Sequence, residues 1–149
     1  MPRRYFEAFT PGTVFEAGSF TISEAEIIAF ARLYDPQRFH TDPEAAKSTA
    51  YGGLIASGWH TVALTMRLLI DGVFGETTGL GSPGVDELRW LVPVRPGDTL
   101  SVRLTVLEAR QSRSKPDRGL VRFKVEAENQ DGVLAMTLVG LGFMLREPA

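Results

Sequence analysis

The segment YDPQRFHTDPEAAKSTAYGGLIASGWHT, residues 34–61, sets three helix boundaries and holds most of the chain's reactive groups. Asp35-Pro36 closes a helix, because proline disfavours helical geometry in the residue before it. Asp42-Pro43 opens another, an N-cap followed by proline at the first helical position, and predicts a short helix to about Thr49. Ser57-Gly58 opens the longest one, over residues 57–74, with Ser57 read as its cap. The apolar set of that helix (Trp59, Val62, Ala63, Met66, Leu69, Ile70 and Val73) covers a broad face, as in a helix largely enclosed by other elements.

Working outward, residues 13–22 read as a strand broken at Gly18. Ser23 and Glu26 form a capping box, after which Ile27, Phe30, Ala31 and Tyr34 recur at helical spacing. Beyond the long helix the period changes from about 3.6 to 2. Residues 85–94 are a strand closed by the turn Arg95-Pro96-Gly97-Asp98. Leu100, Val102, Leu104 and Val106 alternate with polar residues, and Val121, Phe123, Val125 and Ala127 do the same. Asp131-Gly132 favours a tight hairpin. Residues 133–145 are apolar on both faces, which predicts a central strand, and Gly140 and Gly142 mark a place where something packs closely. The order is strand, helices, then four strands. It predicts an α+β fold, an antiparallel sheet with a long helix on one face.

With 149 residues, 44% of them hydrophobic, the chain fits one domain, over residues 1–149, with a proper core. A formal net charge of −2 gives no electrostatic reason to expect nucleic acid. The absence of cysteine excludes disulfides, a thiol nucleophile and zinc–thiolate sites. Arg3 and Arg4 have no apolar stretch behind them, so no signal peptide is expected, and residues 133–145 are too short for a membrane helix. The expectation is a soluble cytoplasmic protein with neither nucleic-acid nor membrane partner.

Gly79-Leu80-Gly81-Ser82-Pro83-Gly84 matches the letters of a dinucleotide fingerprint. It follows a helix and precedes a strand, the reverse of what phosphate binding at a helix N-terminus needs, so it reads as a loop. No metal site is expected, since His40 and His60 lack a recurring ligand spacing. Ser57 sits in no nucleophile elbow. Arg110, Arg113, Lys115 and Arg118 form a basic connection, read as solvated. His60, on the first turn of the long helix, reads as structural.

Asp35 and His40, five residues apart in an apparently irregular segment before a helix N-terminus, are the parts that proton transfer beside a polarised carbonyl requires. The plain alternative is an aspartate that ends a helix and a histidine that makes a structural hydrogen bond. The segment from Tyr34 to Trp59 resembles the MaoC-like dehydratases, which include the (R)-specific enoyl-CoA hydratases. The resemblance rests on Asp35, His40, Asp42-Pro43, Ala45-Ala46 and Ser57-Gly58. It extends to Val85-Asp86-Glu87-Leu88-Arg89-Trp90, Pro93-Val94 and Pro96-Gly97-Asp98. Gln37, Arg38 and Met66 depart from the family's Asn, Pro and Ser.

The resemblance implies the hotdog fold, a curled antiparallel sheet wrapped around one long helix, usually as dimers, and the doubly apolar last strand and uncovered sheet edges predict a homodimer or higher oligomer. It implies reversible hydration of a trans-2-enoyl thioester, with an acyl-CoA as partner and neither metal nor redox cofactor. Asp35 and His40 would activate water, and the Gly58 amide would hold the thioester carbonyl. Gln37, Ser57 and Met66 would contact substrate, with Met66 about 12 Å along the helix from Gly58 by the helical rise. A hotdog acyl-CoA thioesterase is the other enzymatic reading, although no Asp or Glu lies between Trp59 and Ile70. A silent acyl-CoA-binding protein is the third.

Overall fold

Alternation of period two builds the sheet, and the computed structural model, which describes residues 3–75 and 78–149, gives its topology. Strands β1 (Val14–Thr21), β2 (Val85–Trp90), β3 (Thr99–Gln111), β4 (Arg118–Glu128) and β5 (Leu134–Leu145) are antiparallel in the order β1-β3-β4-β5-β2. On β3, Leu100, Val102, Leu104 and Val106 are buried; on β4, Val121, Phe123, Val125 and Ala127 are. Burying side chains of this size stabilises by about 1.5–3 kcal/mol each, so these two faces are the main apolar wall of the core.

Among the described residues the α-helices are α1 (Glu24–Tyr34), α2 (Arg38–Thr41), α3 (Pro43–Ala46) and α4 (Gly58–Leu69), of which α4 packs on the sheet. The capping box forms as the sequence predicts. Ser23 Oγ accepts from the Glu26 amide at 3.1 Å, and the Ser23 amide donates to Glu26 Oε2 at 2.8 Å. Asp42 caps α3 through the amides of Glu44 and Ala45, both at 3.0 Å. α4 contacts β1 and β3 and continues as a wider π-helical turn, Ile70–Phe74. This is the hotdog arrangement, and its sheet stays open, with β1 and β2 as its edges.

Several expectations change. α3 is helical only to Ala46, and the chain reaches Thr49 through tighter three-residue turns. β2 ends at Trp90 rather than Val94, because the Val94 carbonyl leaves the sheet to accept from the Ala56 amide at 2.8 Å. The middle strand is β4. β5 is paired on both sides but lies next to the edge strand. α4 is not enclosed: Trp59 is 57% and Met66 49% exposed, whereas His60, Thr61 and Thr65 are buried. The close approach predicted at Gly140 is present, since a Cβ there would collide with the Phe123 ring.

The end of α4 is locked by backbone contact. A Cβ on Gly72 would lie 2.6 Å from the Ala17 carbonyl oxygen, beside the bulge at Gly18 that bends β1. The Arg4 guanidinium donates to the carbonyls of Gly72 and Val73, each at 2.9 Å, satisfying groups that a helix end leaves open. Gly72→Ala must therefore push the helix off the strand, at a cost of about 1–3 kcal/mol. Gly79→Ala, with nothing within 4 Å of the new atom, should be close to neutral. Denaturant melts of the two variants check this pair.

Candidate active site

Asp35 follows the last turn of α1, its amide still bonded to the Ala31 carbonyl at 2.8 Å. Pro36 prevents the helix from continuing, and the chain turns at once into α2, which carries His40 on its buried side. The segment is thus less irregular than expected. His40 is buried, and its Nδ1 lies 2.7 Å from the Ile55 carbonyl. A carbonyl only accepts, so Nδ1 carries the proton and Nε2 is the nitrogen left for chemistry. Nε2 lies 3.2 Å from Asp35 Oδ2.

Ile55 is itself fixed. Its amide donates to the Phe39 carbonyl at 2.9 Å, and the neighbouring Ala56 amide donates to Val94. The loop is braced further by Arg95, which donates to the Tyr51 carbonyl. The histidine's orientation is therefore set by three segments far apart in sequence.

The Asp35 carboxylate accepts from Gln37 Nε2 on Oδ1 and from Ser57 Oγ on Oδ2, both at 2.7 Å. Burial raises its pKa, but the Gln37 and Ser57 hydrogen bonds, with the His40 charge, outweigh that and hold it below the ordinary aspartate value. Ser57 stands at the N-cap position of α4, as expected, yet its hydroxyl makes no cap bond. It is fully buried, and its proton is committed to Asp35.

Gly58 follows as the first residue of α4, and among the described residues its amide has no protein acceptor. Such N–H groups, at the positive end of the helix dipole, attract developing negative charge. A cavity of about 430 Å³ brings His40, Gln37 and Gly58 together with Thr61, Tyr51 and Trp90. The last three were not singled out by sequence reasoning. Trp90 lies in the strand that carries the family resemblance, and its indole rests on Gly58 where no Cβ would fit. Glycine at position 58 thus serves two ends, a bare amide and room for a ring.

Met66 is not in this cavity. It borders a second, apolar one of about 540 Å³ with Val62, Leu69, Phe123 and Gly140. At 100° per residue, Gly58, Val62, Met66 and Leu69 share one face of α4, so the two cavities follow the same side of the helix. The Gly79–Gly84 stretch forms no phosphate cradle: Leu80 donates to the Phe143 carbonyl, and Phe143 donates to Gly81. Arg110 ends up inside β3 and Arg118 opens β4, paired with Asp117 at 2.8 Å.

The open antiparallel sheet around α4 defines a hotdog-fold protein. The model of the MaoC like domain matches residues 7–129, and the chain belongs to that family. With it, the chain is a hydro-lyase of the hydratase and dehydratase type. The MaoC-like dehydratase from Rhodospirillum rubrum is 39% identical with a TM-score of 0.91, covering 98% of this chain and 99% of that one. The R-hydratase PhaJ1 from Pseudomonas aeruginosa is 28% identical with a TM-score of 0.76, covering 97% and 86%. The Bacillus subtilis protein YdeM is 32% identical over 85% of this chain and 89% of its own length.

His60 has a separate consequence. Its ring stacks on Phe30 at 4.5 Å and 3°, and its buried Nδ1 has no partner among the described residues. Burial lowers its pKa from 6.5, partly opposed by the Glu26 charge. The unfolded chain therefore takes up a proton below about pH 6.5 that the folded protein resists. Stability is full above that pH and falls as pH drops from there towards the lowered value. Melting temperature against pH should show this loss setting in below about pH 6.5, and His60→Leu should abolish that part of the slope.

Proposed function

We propose that the chain adds water across the double bond of a trans-2-enoyl thioester, an acyl-CoA, to give the (R)-3-hydroxyacyl thioester, or runs the reverse. The observation that carries this reading is His40, its Nε2 3.2 Å from the ionised Asp35 carboxylate, in one cavity with a helix-terminal amide that has no protein acceptor among the described residues. At 3.2 Å the two polar atoms are in direct contact, so a water approaching the pair could bond to both.

In the forward direction, the water oxygen bonds to C3 while its proton passes to the dyad. The double-bond electrons move onto C2 and the thioester oxygen, where the Gly58 amide stabilises the enolate. His40 then returns a proton to C2, so the net change is the addition of one water. Asp35 holds the water and balances the imidazolium. Gln37 orients Asp35, and Trp90 walls the reacting carbons. The apolar cavity bordered by Met66 would take the acyl chain, with Met66 limiting its length.

The active form is proposed to be a homodimer or higher oligomer. Trp59 and Trp90, whose rings meet edge-on at 5.2 Å, are exposed together with Leu91, Val85 and Met66 along α4 and the edge strand β2. An apolar face joined to an unpaired sheet edge is the kind of surface a second copy covers. Light scattering at micromolar concentration should give a multiple of 16.3 kDa, and a monomer would refute the assembly.

Asp35→Asn and His40→Ala should each slow hydration by about 10²–10⁴-fold while the fold survives. The assay is decay of the conjugated enoyl thioester absorbance, read beside a free-thiol assay. Released CoA would mean hydrolysis instead, and binding with neither signal would mean a silent scaffold. Full activity in either folded variant would sink the dyad.

A further inference from the structure

A serine at the N-cap usually accepts hydrogen bonds from the first amides of its helix. Ser57 makes no such bond, so the helix forgoes a stabilising contact and the hydroxyl is turned to another use. That use is Asp35 Oδ2, at 2.7 Å across 22 residues of chain. Neither Ser57, which is fully buried, nor Asp35 borders the cavity of about 430 Å³, whereas His40 does, so the Ser57 side chain reaches the chemistry only through the Asp35–His40 pair.

We propose that Ser57 is a positioning residue for this reaction. It ties the Asp35 carboxylate to the first turn of α4, so that the water-holding acid and the carbonyl-polarising Gly58 amide keep a fixed spacing, and it keeps the mobile proton of the dyad on His40. The proposal rests on the hydratase reading above and gives the two dyad members different tasks.

The argument is geometric first. Gly58 is the next residue in the chain, so any movement of α4 that shifts its amide also shifts the Ser57 hydroxyl. A carboxylate bonded to that hydroxyl follows the helix rather than the end of α1. The electrostatics point the same way. Oδ1 accepts from Gln37 and Oδ2 from Ser57, and donors on both oxygens favour the ionised carboxylate over the acid. Gln37 is exposed and acts through a flexible side chain, whereas Ser57 is buried on a helix and is the fixed donor. Among the described residues, the groups acting on Asp35 are Gln37, Ser57 on α4 and the titratable His40 on α2. With Asp35 kept ionised, the proton taken from water resides on Nε2, whose ring is already oriented through Nδ1.

The test uses the full chain, enoyl-CoA hydration and three substitutions. Ser57→Ala should lower kcat by about 10- to 100-fold with little change in KM, since orientation rather than binding is lost. It should also move the acid limb of the kcat/KM profile up by about half to one pH unit, because the carboxylate loses a donor. Ser57→Thr keeps a hydroxyl and should restore both. Where alanine or threonine lowers the melting temperature below the assay range, Ser57→Cys supplies a near-isosteric weak donor and should fall between. A folded, active Ser57→Ala with the wild-type kcat and acid limb overturns the proposal. So does a shift that persists undiminished in folded Ser57→Thr. Lack of hydration by the wild-type protein overturns the activity itself, a result that is told apart from these because no profile is then obtained.

Discussion

The excursion between Asp35 and Ser57 is the part of this chain on which the site depends. The chain leaves the end of one helix and returns to the start of another 22 positions later, and a carboxylate–hydroxyl hydrogen bond at 2.7 Å closes the excursion. Closing a loop of this length costs entropy that grows only slowly with its size, so a few well-buried bonds are enough to hold it. The Ile55 amide on Phe39, its carbonyl on His40 and the Ala56 amide on Val94 are those bonds. Each joins a segment that carries chemistry to one that carries only structure. Remove the closure, and the acid, the imidazole and the helix amide belong to three independent elements.

This arrangement explains an oddity of α4. Helices at the heart of a domain usually bury their apolar residues, yet here His60, Thr61 and Thr65 are buried while Trp59 and Met66 are half exposed. The first turn must place Gly58 at the cavity and Ser57 against Asp35, which fixes the rotation of the helix about its axis. Polar side chains then fall on the inner side, and two atoms, His60 Nδ1 and Thr65 Oγ1, lack partners among the described residues. Unpaired buried polar groups cost of the order of 1–3 kcal/mol each. The stability lost there is balanced by the dense wall of β3 and β4 and by the lock at Gly72.

What the sequence disclosed follows the same division. Local physics was legible: the capping box at Ser23, the proline stops and starts, the period-two strands, and the pairing of Asp35 with His40 all depend on residues a few positions apart. The family resemblance carried the element order to a specific fold. Contacts between distant segments were not legible. Ser57 looked like a cap because local chemistry offers it that bond, and only the return of the chain to Asp35 provides a better one. β2 was read four residues too long because Val94 keeps the apolar character of a strand while its carbonyl serves Ala56. Trp90 was passed over because nothing in its own neighbourhood announces that its ring will rest on a glycine thirty-two positions earlier.

Gln37 shows how one methylene group bears on such a site. The family resemblance places asparagine here, and the longer glutamine folds back far enough for its amide to reach Asp35 Oδ1, two residues earlier. Both carboxylate oxygens are then engaged by protein donors, Oδ1 by Gln37 and Oδ2 by Ser57, with His40 Nε2 also against Oδ2. A water bound there must share Asp35 with Ser57 and Gln37, so its second anchor, His40 Nε2, becomes the stronger determinant of where it sits. In the proposed reaction the acid would hold the water and the imidazole would set its direction. That division is consistent with a carboxylate which remains ionised while its neighbour carries the proton.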